Sequence, residues 1–327
     1  MGEHVLPVVV PHLQLQLGGG DLAKREGICL GLTEILTCAT STQIEAYVGM
    51  LVSALRQALC DEARQVRQQA ALAFQTMMKS IGNRAVDHLV PSLLHQIEED
   101  WEELDGEEVS TSMAVLGLKE IVSQRPRELL EYLLPQLLAT PMTSFSAKIL
   151  GHIAPACGSQ LNFQFHIIVP DIIPELCDSA SDPTLHADLR SCASAVMAAV
   201  SSSGVNYLIE ELVEHIEDDD PVARKWGCWL LEQFIRYSEA DYEEFICIFL
   251  KYLLSLCADK DREVLVAVNE ALSALVSTVP VETMSQHLEF IISYIRSTAS
   301  DARHRSHQTI RIFSILIVNY NQLCPAS

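Results

Sequence analysis

The chain has 327 residues, of which 22 are Lys or Arg and 43 are Asp or Glu, so its formal net charge at pH 7 is −21. A chain this acidic repels phosphate backbones, which argues against broad binding to nucleic acid. Hydrophobic residues make up 49% of the chain but aromatic residues only 6%, so Leu, Ile, Val and Ala must build the core, as they do between packed helices. The composition therefore predicts a soluble, acidic, helical protein.

The sequence carries none of the common targeting signals. The N-terminal run from His4 to His12 lacks a basic start and contains two prolines, unlike a signal peptide. The apolar run from Ile310 to Val318 includes Arg311 and falls far short of the roughly 20 residues that a membrane span needs. The ten cysteines have no paired spacing, which suits reduced thiols used as small core side chains. These features predict a cytoplasmic protein that does not contact a membrane.

Amphipathic segments with a helical period follow one another along the chain. After Asp61, for example, Val66, Ala70, Phe74 and Met77 fall on one helical face. The segments alternate in two classes. First helices are predicted near 4–17, 43–59, 84–97, 128–138, 163–177, 204–216, 241–257 and 282–296. Second helices are predicted near 23–38, 64–80, 107–123, 143–156, 184–201, 221–237, 261–278 and 301–319.

Two independent registers show that these helix pairs are repeats. An aspartate precedes most second helices, namely Asp21, Asp61, Asp105, Asp182, Asp220, Asp261 and Asp301. The intervals between them are 40, 44, 77, 38, 41 and 40 residues, and the long interval holds two units. A proline in an apolar context recurs in the first helices, at Pro7, Pro91, Pro135 and Pro170. A period of roughly 40 residues is typical of helical-pair solenoids.

Proline in the first helix and aspartate followed by Val-Arg before the second helix are the signature of HEAT repeats. Asp61, Val66 and Arg67 form the clearest copy. The pattern predicts an all-α protein, a right-handed α-solenoid of about eight HEAT repeats, each an antiparallel helix pair. We expect one continuous array over residues 1–327. Because neither end carries a polar cap, we also expect this array to be part of a longer solenoid.

Several segments carry a closer resemblance. They are Arg25-Glu-Gly-Ile-Cys-Leu-Gly-Leu-Thr-Glu-Ile35, Ala58-Leu-Cys-Asp61, Leu118-Lys-Glu-Ile121, Tyr132-Leu-Leu-Pro-Gln-Leu137 and Ala240-Asp-Tyr242. In this order they resemble the C-terminal half of the general control translational activator family. The resemblance implies a giant cytosolic HEAT-repeat scaffold that associates with ribosomes, senses stalled ones and activates the kinase of initiation factor two. The elongation-factor-three-like segment of that family is not recognisable in these residues.

Two other functions stay open on the residues alone. An importin-like or phosphatase-scaffold-like HEAT adaptor would use the acidic surface to bind basic protein partners. An enzyme with dispersed catalytic residues is the third hypothesis. The turn at Gly18 to Asp21 lacks the Gly-Lys-Ser/Thr of a phosphate loop, and His304 with His307 lacks a third metal ligand. We therefore expect no catalytic residue, no metal and no cofactor.

Two charged regions are candidate binding sites. The acidic run that starts at Glu98 is expected to be a solvated loop or a docking loop for a basic partner, with Trp101 as its anchor. Its candidate residues are Glu98, Glu99, Asp100, Trp101, Glu102 and Glu103. Arg303, Arg305 and Arg311 form a basic stripe that could contact ribosomal RNA. A second acidic patch at 210–220 is expected to be helix surface, and Trp226 and Trp229 are expected to belong to the core.

Overall fold

The computed structural model describes residues 5–103 and 112–299, and its regular elements there are α-helices and short 3₁₀ turns. In chain order the α-helices are α1 (Leu6–Leu17), α2 (Leu22–Cys38), α3 (Ser41–Ala46), α4 (Val48–Leu59), α5 (Arg64–Ile81), α6 (Arg84–Glu103), α7 (Met113–Gln124), α8 (Pro126–Leu137), α9 (Ser144–Ile153), α10 (Phe165–Asp178), α11 (Pro183–Ala198), α12 (Val205–Ile216), α13 (Pro221–Tyr237), α14 (Ile246–Leu256), α15 (Arg262–Thr278), α16 (Val281–Gln286) and α17 (Leu288–Ala299). The prediction of an all-α chain of helix pairs is confirmed.

These helices fall into two compact units. Unit 1 holds α1 to α8 with most of α9, and unit 2 holds α10 to α17. In unit 1 the second helices pack in succession, α2 on α5 and α5 on α7, while the first helices α1, α4 and α6 pack on one another in the same way. In unit 2, α11 packs on α13 and α13 on α15, while α10 packs on α12. Each unit is therefore a double layer of helices, with its apolar core between the layers.

The recurring aspartates begin the second helices. Four of them are N-cap residues whose side chains accept hydrogen bonds from backbone N–H groups of the first turn: Asp21, Asp182, Asp220 and Asp261. An aspartate there satisfies N–H groups that have no partner within the helix, and its charge suits the positive end of the helix dipole. Asp61 precedes α5 without capping it, and accepts from the N–H of Ala63 at 2.8 Å.

The recurring prolines lie where the first helices were predicted. Pro91, Pro135 and Pro170 are inside α6, α8 and α10. In α1 the interior proline is Pro11, whereas Pro7 lies in the first turn, where a missing N–H costs no hydrogen bond. The prediction of an interior proline thus holds for the first repeat, but at a different residue.

Several predicted helices differ from the structure. The helix predicted at 282–296 is divided at His287 into α16 and α17. The helix predicted at 84–97 continues to Glu103 as α6, because Leu93, Ile97 and Trp101 keep the i, i+4 spacing of its packed face. The helix predicted at 43–59 is divided at Tyr47 into α3 and α4.

An arginine holds the turn between the two helices of a repeat. Arg67 is only 6% exposed, and its Nη1 donates to the carbonyl oxygens of Asp61 at 2.8 Å and Glu62 at 2.9 Å. Carbonyl groups at such turns have no hydrogen-bond partner within a helix. A charged donor therefore supplies hydrogen bonds to acceptors that would otherwise be buried without any. Arg224 repeats the arrangement with two carbonyl groups of its own turn, each at 2.8 Å.

Arginines also connect one repeat to the next. Arg25 Nε lies 2.8 Å from the carboxylate of Asp61, and Arg224 Nε lies 2.8 Å from that of Asp259. Burial alone would raise the pKa of Asp259, but hydrogen bonds from Arg224 and from two backbone N–H groups outweigh burial and hold this pKa below its ordinary value. The folded state therefore favours the ionised carboxylate.

Glycine permits the closest helix contact in unit 1. A Cβ atom at Gly117 in α7 would lie 2.4 Å from the carbonyl oxygen of Leu59, at the end of α4. No side chain fits there, so Gly117 sets how closely the two helices approach.

Replacing Gly117 with Ala should lower the free energy of unfolding by about 1–3 kcal/mol, because backbone must move to admit the methyl group. Gly27→Ala is the matched control. Gly27 lies in α2, and its Cβ would meet no atom within 4 Å. Since Ala favours helix over Gly, the control should gain about 0.5–1 kcal/mol. Urea unfolding measures both, and equal effects of the two substitutions would contradict the close contact.

Asp259→Asn should lower the free energy of unfolding by about 1–2 kcal/mol at pH 7, since it replaces a charge-assisted hydrogen bond with a neutral one. The stabilisation by Asp259 is present above its ordinary pKa of 3.8 and is lost as the pH falls through the lower folded-state pKa. The two proteins should therefore converge in stability in acid. The control is Glu131→Gln, whose carboxylate pairs with Arg127 on the exposed surface and should contribute less than about 0.5 kcal/mol. If Asp259→Asn still lowered the free energy of unfolding by the same amount at pH 2–3, the stabilisation would not come from the ionised carboxylate of Asp259.

Candidate functional site

The acidic candidate residues form the last turns of a helix. Glu98 to Glu103 belong to α6, so the prediction that a loop begins at Glu98 is wrong. The cause is that glutamate is a good helix former and the packed face of α6 continues to Trp101. Glu98, Glu99, Glu102 and Glu103 are exposed, and the last turn of α6 contains no basic residue. We call these four residues the acidic helix end.

Asp100 points inward and has a structural role. Its Oδ2 accepts a hydrogen bond from the hydroxyl of Ser112 at 2.5 Å, and its Oδ1 accepts from Gln96 at 3.1 Å. Gln96 in turn accepts from Arg56 at 2.7 Å. Ser112 is the N-cap of α7, so Asp100 connects the end of α6 to the start of the next helix. This residue therefore differs in role from its acidic neighbours.

Trp101 is half-buried and already in contact with α9. Its ring packs edge-on against Phe145 with centroids 5.8 Å apart, and Lys148 Nζ lies 4.6 Å from its centroid. Such contacts fix the ring and favour the nearby cation. The half-buried Trp101 is therefore held by α9 beside the acidic helix end.

The other charged candidates are placed as follows. Arg303, Arg305 and Arg311 lie outside the described residues. In the second acidic patch, Glu210, Glu214 and Glu217 are exposed on or beside α12, as expected for helix surface. The final residue of this patch is the capping Asp220 described above.

Unit 2 contains a cavity that the sequence analysis did not find. It measures about 530 Å³ and lies across the second helices α11, α13 and α15. Trp226 and Trp229 line it, although they are only 5% and 7% exposed, which confirms that both are largely core residues. Val266 on α15 adds an apolar surface that is 45% exposed. We call this cavity the Trp226 cleft.

Basic side chains cover the tryptophan faces in the Trp226 cleft. Lys225 Nζ lies 4.9 Å from the centroid of Trp226, and the guanidinium carbon of Arg190 lies 5.0 Å from that of Trp229. His186 packs edge-on against Trp226 with centroids 5.4 Å apart. Partial burial lowers the pKa of His186, and the positive charges of Arg190 and Lys225 lower it further. The potential at this side of the cleft is therefore positive in a chain whose net charge is negative.

The α15 side of the Trp226 cleft has mixed charge. Arg262, Val266 and Glu270 follow one another at i, i+4 spacing along α15. Glu263 is also at the cleft but is paired with Lys225 at 2.7 Å. Among the described residues, no carboxylate forms an ion pair with Arg190 or Arg262. These two guanidinium groups therefore keep hydrogen-bond donors for a ligand.

Most cysteines behave as core side chains. Five are buried: Cys29, Cys157, Cys192, Cys228 and Cys257. Cys60, Cys177 and Cys247, predicted to be core residues, are partly exposed, and Cys38 is exposed. Burial raises the pKa of Cys29, Cys157 and Cys228 to about 12. It is also the main cause that raises the pKa of Cys60 and Cys177 to about 11. A protonated thiol is a poor nucleophile. The five cysteines whose pKa is raised are therefore unsuited to the role of a catalytic cysteine.

The described residues contain neither a candidate metal site nor a single helix that could span a membrane. Residues 5–103 and 112–299 contain no group of three or more His, Cys, Asp or Glu side chains that could hold a metal ion. In the same residues no single helix is long and apolar enough to cross a membrane. Only Pro183–Ala198 with Ser202–Ile216, a pair bent by 104°, passes that test of length and composition.

The class of protein follows from these helix pairs. Interior prolines in first helices, capping aspartates before second helices and two stacked layers define an all-α solenoid of HEAT repeats. Comparison with protein families then gives the family. The model of stalled ribosome sensor GCN1-like HEAT repeats matches residues 129–316, which is more than half of the chain. The chain therefore belongs to the GCN1-like HEAT-repeat family.

A second family model, the EF3 N-terminal HEAT repeat, matches residues 8–139. The expectation that no elongation-factor-three-like segment would be recognisable is therefore wrong. The short motifs used for the resemblance are shared by many HEAT repeats, so they could not reveal a likeness spread over a whole segment.

Two curated GCN1 proteins agree with the family assignment, and one solved structure is given beside them for its likeness alone. The chain is 28% identical over 275 residues to the stalled ribosome sensor GCN1 of Mus musculus, covering 84% of this chain and 10% of that protein. It is 27% identical over 290 residues to the eIF-2-alpha kinase activator GCN1 of Saccharomyces cerevisiae, covering 88% of this chain and 10% of that protein. The structure of the Pds5-Scc1 complex matches with a TM-score of 0.49 and 15% identity, over 96% of this chain and 51% of that one. The chain thus spans about a tenth of the length of these curated relatives.

A maleimide reagent at pH 8 should label the exposed Cys38 in the folded chain well before Cys29, Cys157 or Cys228, whose thiols stay protonated and covered. Peptide mass spectrometry after a short pulse measures the order of labelling. The same pulse in urea is the control, since unfolding should remove the difference. Early labelling of Cys228 in the folded chain would contradict its burial.

Proposed function

We propose that this chain is part of a translational-control scaffold that binds ribosomes and positively regulates the kinase of initiation factor two when ribosomes stall. The observation that carries the proposal is membership of the GCN1-like family, supported by relatives named stalled ribosome sensor and eIF-2-alpha kinase activator. The chain acts as a non-enzymatic scaffold in the cytoplasm. Its partners are proteins, and no cofactor takes part.

Within this role, the acidic helix end is a docking site for a basic protein partner. Carboxylates at the C-terminal end of a helix face the negative end of its dipole, which costs about 0.3–1 kcal/mol for each charge in the last turn. Glu102 and Glu103 also lie beside Glu98 and Glu99, and like charges on neighbouring turns repel. A basic partner would relieve both costs. The half-buried Trp101 offers an apolar contact beside these charges.

The second proposed contact is the basic stripe of Arg303, Arg305 and Arg311 with ribosomal RNA. Contact with phosphate depends on local charge density, and three arginines within nine residues supply it despite the negative net charge.

The experiment is co-sedimentation of the purified chain with ribosomes, followed by a kinase assay on the same mixtures. Binding that resists washing, and increased phosphorylation of the initiation factor when the chain is present, are expected. Absence of binding even at low salt would count against the ribosome role, because electrostatic contacts are strongest there.

A triple variant tests the acidic helix end. Glu98→Gln, Glu102→Gln and Glu103→Gln keep helix propensity and leave the structural Asp100 intact. The variant should unfold at a higher urea concentration, since about 0.3–1 kcal/mol is regained per charge removed from the last turn, yet bind ribosomes or the kinase several-fold more weakly.

The matched control is Glu210→Gln, Glu214→Gln and Glu217→Gln, which makes the same change of net charge on the second acidic patch. It should leave partner binding unchanged. If the two triple variants bind equally well, the acidic helix end is not a docking site and only the total charge matters.

A further inference from the structure

The Trp226 cleft is a concave site in unit 2, and its two largest side chains, Trp226 and Trp229, pack against each other. Trp226 and Trp229 stack edge to face with centroids 5.4 Å apart, so both rings are held rigidly. Lys225 and Arg190 cover their faces. What the rings offer to a ligand is therefore an apolar rim beside fixed positive charge.

We propose that the Trp226 cleft binds an acidic segment of a partner protein, in which carboxylates flank an apolar side chain. This site is separate from the acidic helix end, which suits a partner of the opposite charge, and it does not depend on ribosome binding. The occupant is inferred from charge complementarity and from which surfaces of the cleft are free.

Residues of α11 would bind the carboxylates of the acidic segment. Among the described residues that line the cleft, those from α11 are His186 and Arg190, neither of which is an anion. Arg190 is stacked on Trp229, so its planar guanidinium is held in place while the N–H groups along its edge remain available. A preorganised guanidinium binds a carboxylate with less loss of side-chain freedom than a free one. Arg262 supplies a second cation across the cleft.

The apolar part of the segment is set by the α15 side. Val266 is exposed beside the tryptophans, and Ala267 is the next residue of the lining. The exposed Val266 offers a contact for an aliphatic or aromatic side chain, as an apolar anchor does at an interface. Glu270 lies one turn beyond Val266 and disfavours a second carboxylate there. The segment is therefore acidic next to α11 and apolar next to α15.

The same geometry argues against the two other ligand classes. A nucleic-acid base stacks on an exposed ring face, but both tryptophan faces carry a cation and the rings are only 5% and 7% exposed. A basic peptide would be repelled by Arg190 and Arg262, and because Glu263 is already paired with Lys225, Glu270 is the carboxylate of the lining left to attract it. An acidic peptide suits both the charges and the apolar rim.

The test uses the full chain and a fluorescein-labelled peptide made of two copies of Asp-Glu-Asp-Leu-Phe-Gly, measured by fluorescence anisotropy. Salt is set near 150 mM, where the Debye length is about 8 Å, so that repulsion from the distant acidic surface is screened while contacts in the cleft are not. Saturable binding is expected, and it should weaken as salt increases further. A version of the peptide with Lys at every acidic position should bind at least about tenfold more weakly.

Two variants place the peptide in the cleft. Arg190→Glu reverses the exposed cation of α11, and Val266→Asp puts a carboxylate on the exposed apolar surface of α15. Each should weaken binding about tenfold or more. The melting temperature should be unchanged for Val266→Asp, whose side chain is exposed, and only slightly lower for Arg190→Glu, which loses its contact with Trp229. Lys251→Glu is the matched control, since it makes the same change of charge on α14, a first helix, and should bind like the original chain.

Three results would overturn the proposal. The first is unchanged peptide binding by both Arg190→Glu and Val266→Asp. The second is binding of the Lys-containing peptide as tight as that of the acidic one. The third is a labelled oligouridylate that binds more tightly than the peptide and loses affinity with Arg190→Glu, which would assign the cleft to RNA.

Discussion

The fold depends on satisfying the backbone carbonyl groups at the turn inside each repeat. A tight turn between two packed helices leaves carbonyl oxygens near the core without helical partners. Arg67 and Arg224 solve this problem by donating from one nitrogen to two consecutive carbonyl oxygens. The same guanidinium of Arg224 then reaches the carboxylate of Asp259 in the following repeat. The single side chain of Arg224 thus closes a turn and connects it to the next repeat.

Charge on this chain is segregated, and net charge alone would conceal that. Several acidic residues are used structurally, as helix caps, as the inward-pointing Asp100 and as the partner of Arg224. The acidic helix end is a different case, because its carboxylates lie where the helix dipole opposes them. The Trp226 cleft has the reverse sign. The two surfaces therefore differ in the charge of the partner that each would suit.

The sequence was sufficient for features that depend on local spacing. Capping aspartates, interior prolines and apolar faces are each decided within a few residues, so the predicted helix pairs agree with the structure. The run of acidic residues predicts a loop from Glu98, but α6 continues to Glu103. Leu93, Ile97 and Trp101 preserve the helical period there. A run of charged residues indicates that side chains are exposed to solvent. The spacing of apolar residues indicates the backbone conformation, and this spacing predicts the helix.

The Trp226 cleft could not be predicted from the sequence, because its residues are distant along the chain. His186, Trp226 and Arg262 come from three successive repeats, and only the stacking of α11, α13 and α15 brings them together. The available signal is a shared phase of other lining residues, since Arg190, Trp229 and Glu270 lie eight or nine residues after the capping aspartates of their helices. Likewise Asn162 is buried and bonds to Ser201, and a Cβ at Gly204 would lie 2.1 Å from its Oδ1. A glycine that looks like a simple turn residue in the sequence is in fact required by a polar side chain one repeat earlier.

The ties between repeats have a consequence for how the chain is made. Arg25 meets Asp61 across 36 residues, Arg224 meets Asp259 across 35, and Ser194 meets Gln233 across 39. Each tie therefore becomes possible once a single further repeat has been synthesised. At about 5–20 residues per second, that wait is only a few seconds. Because each of these three ties joins neighbouring repeats, the helix pairs are suited to vectorial folding, each one docking on its predecessor as it leaves the ribosome.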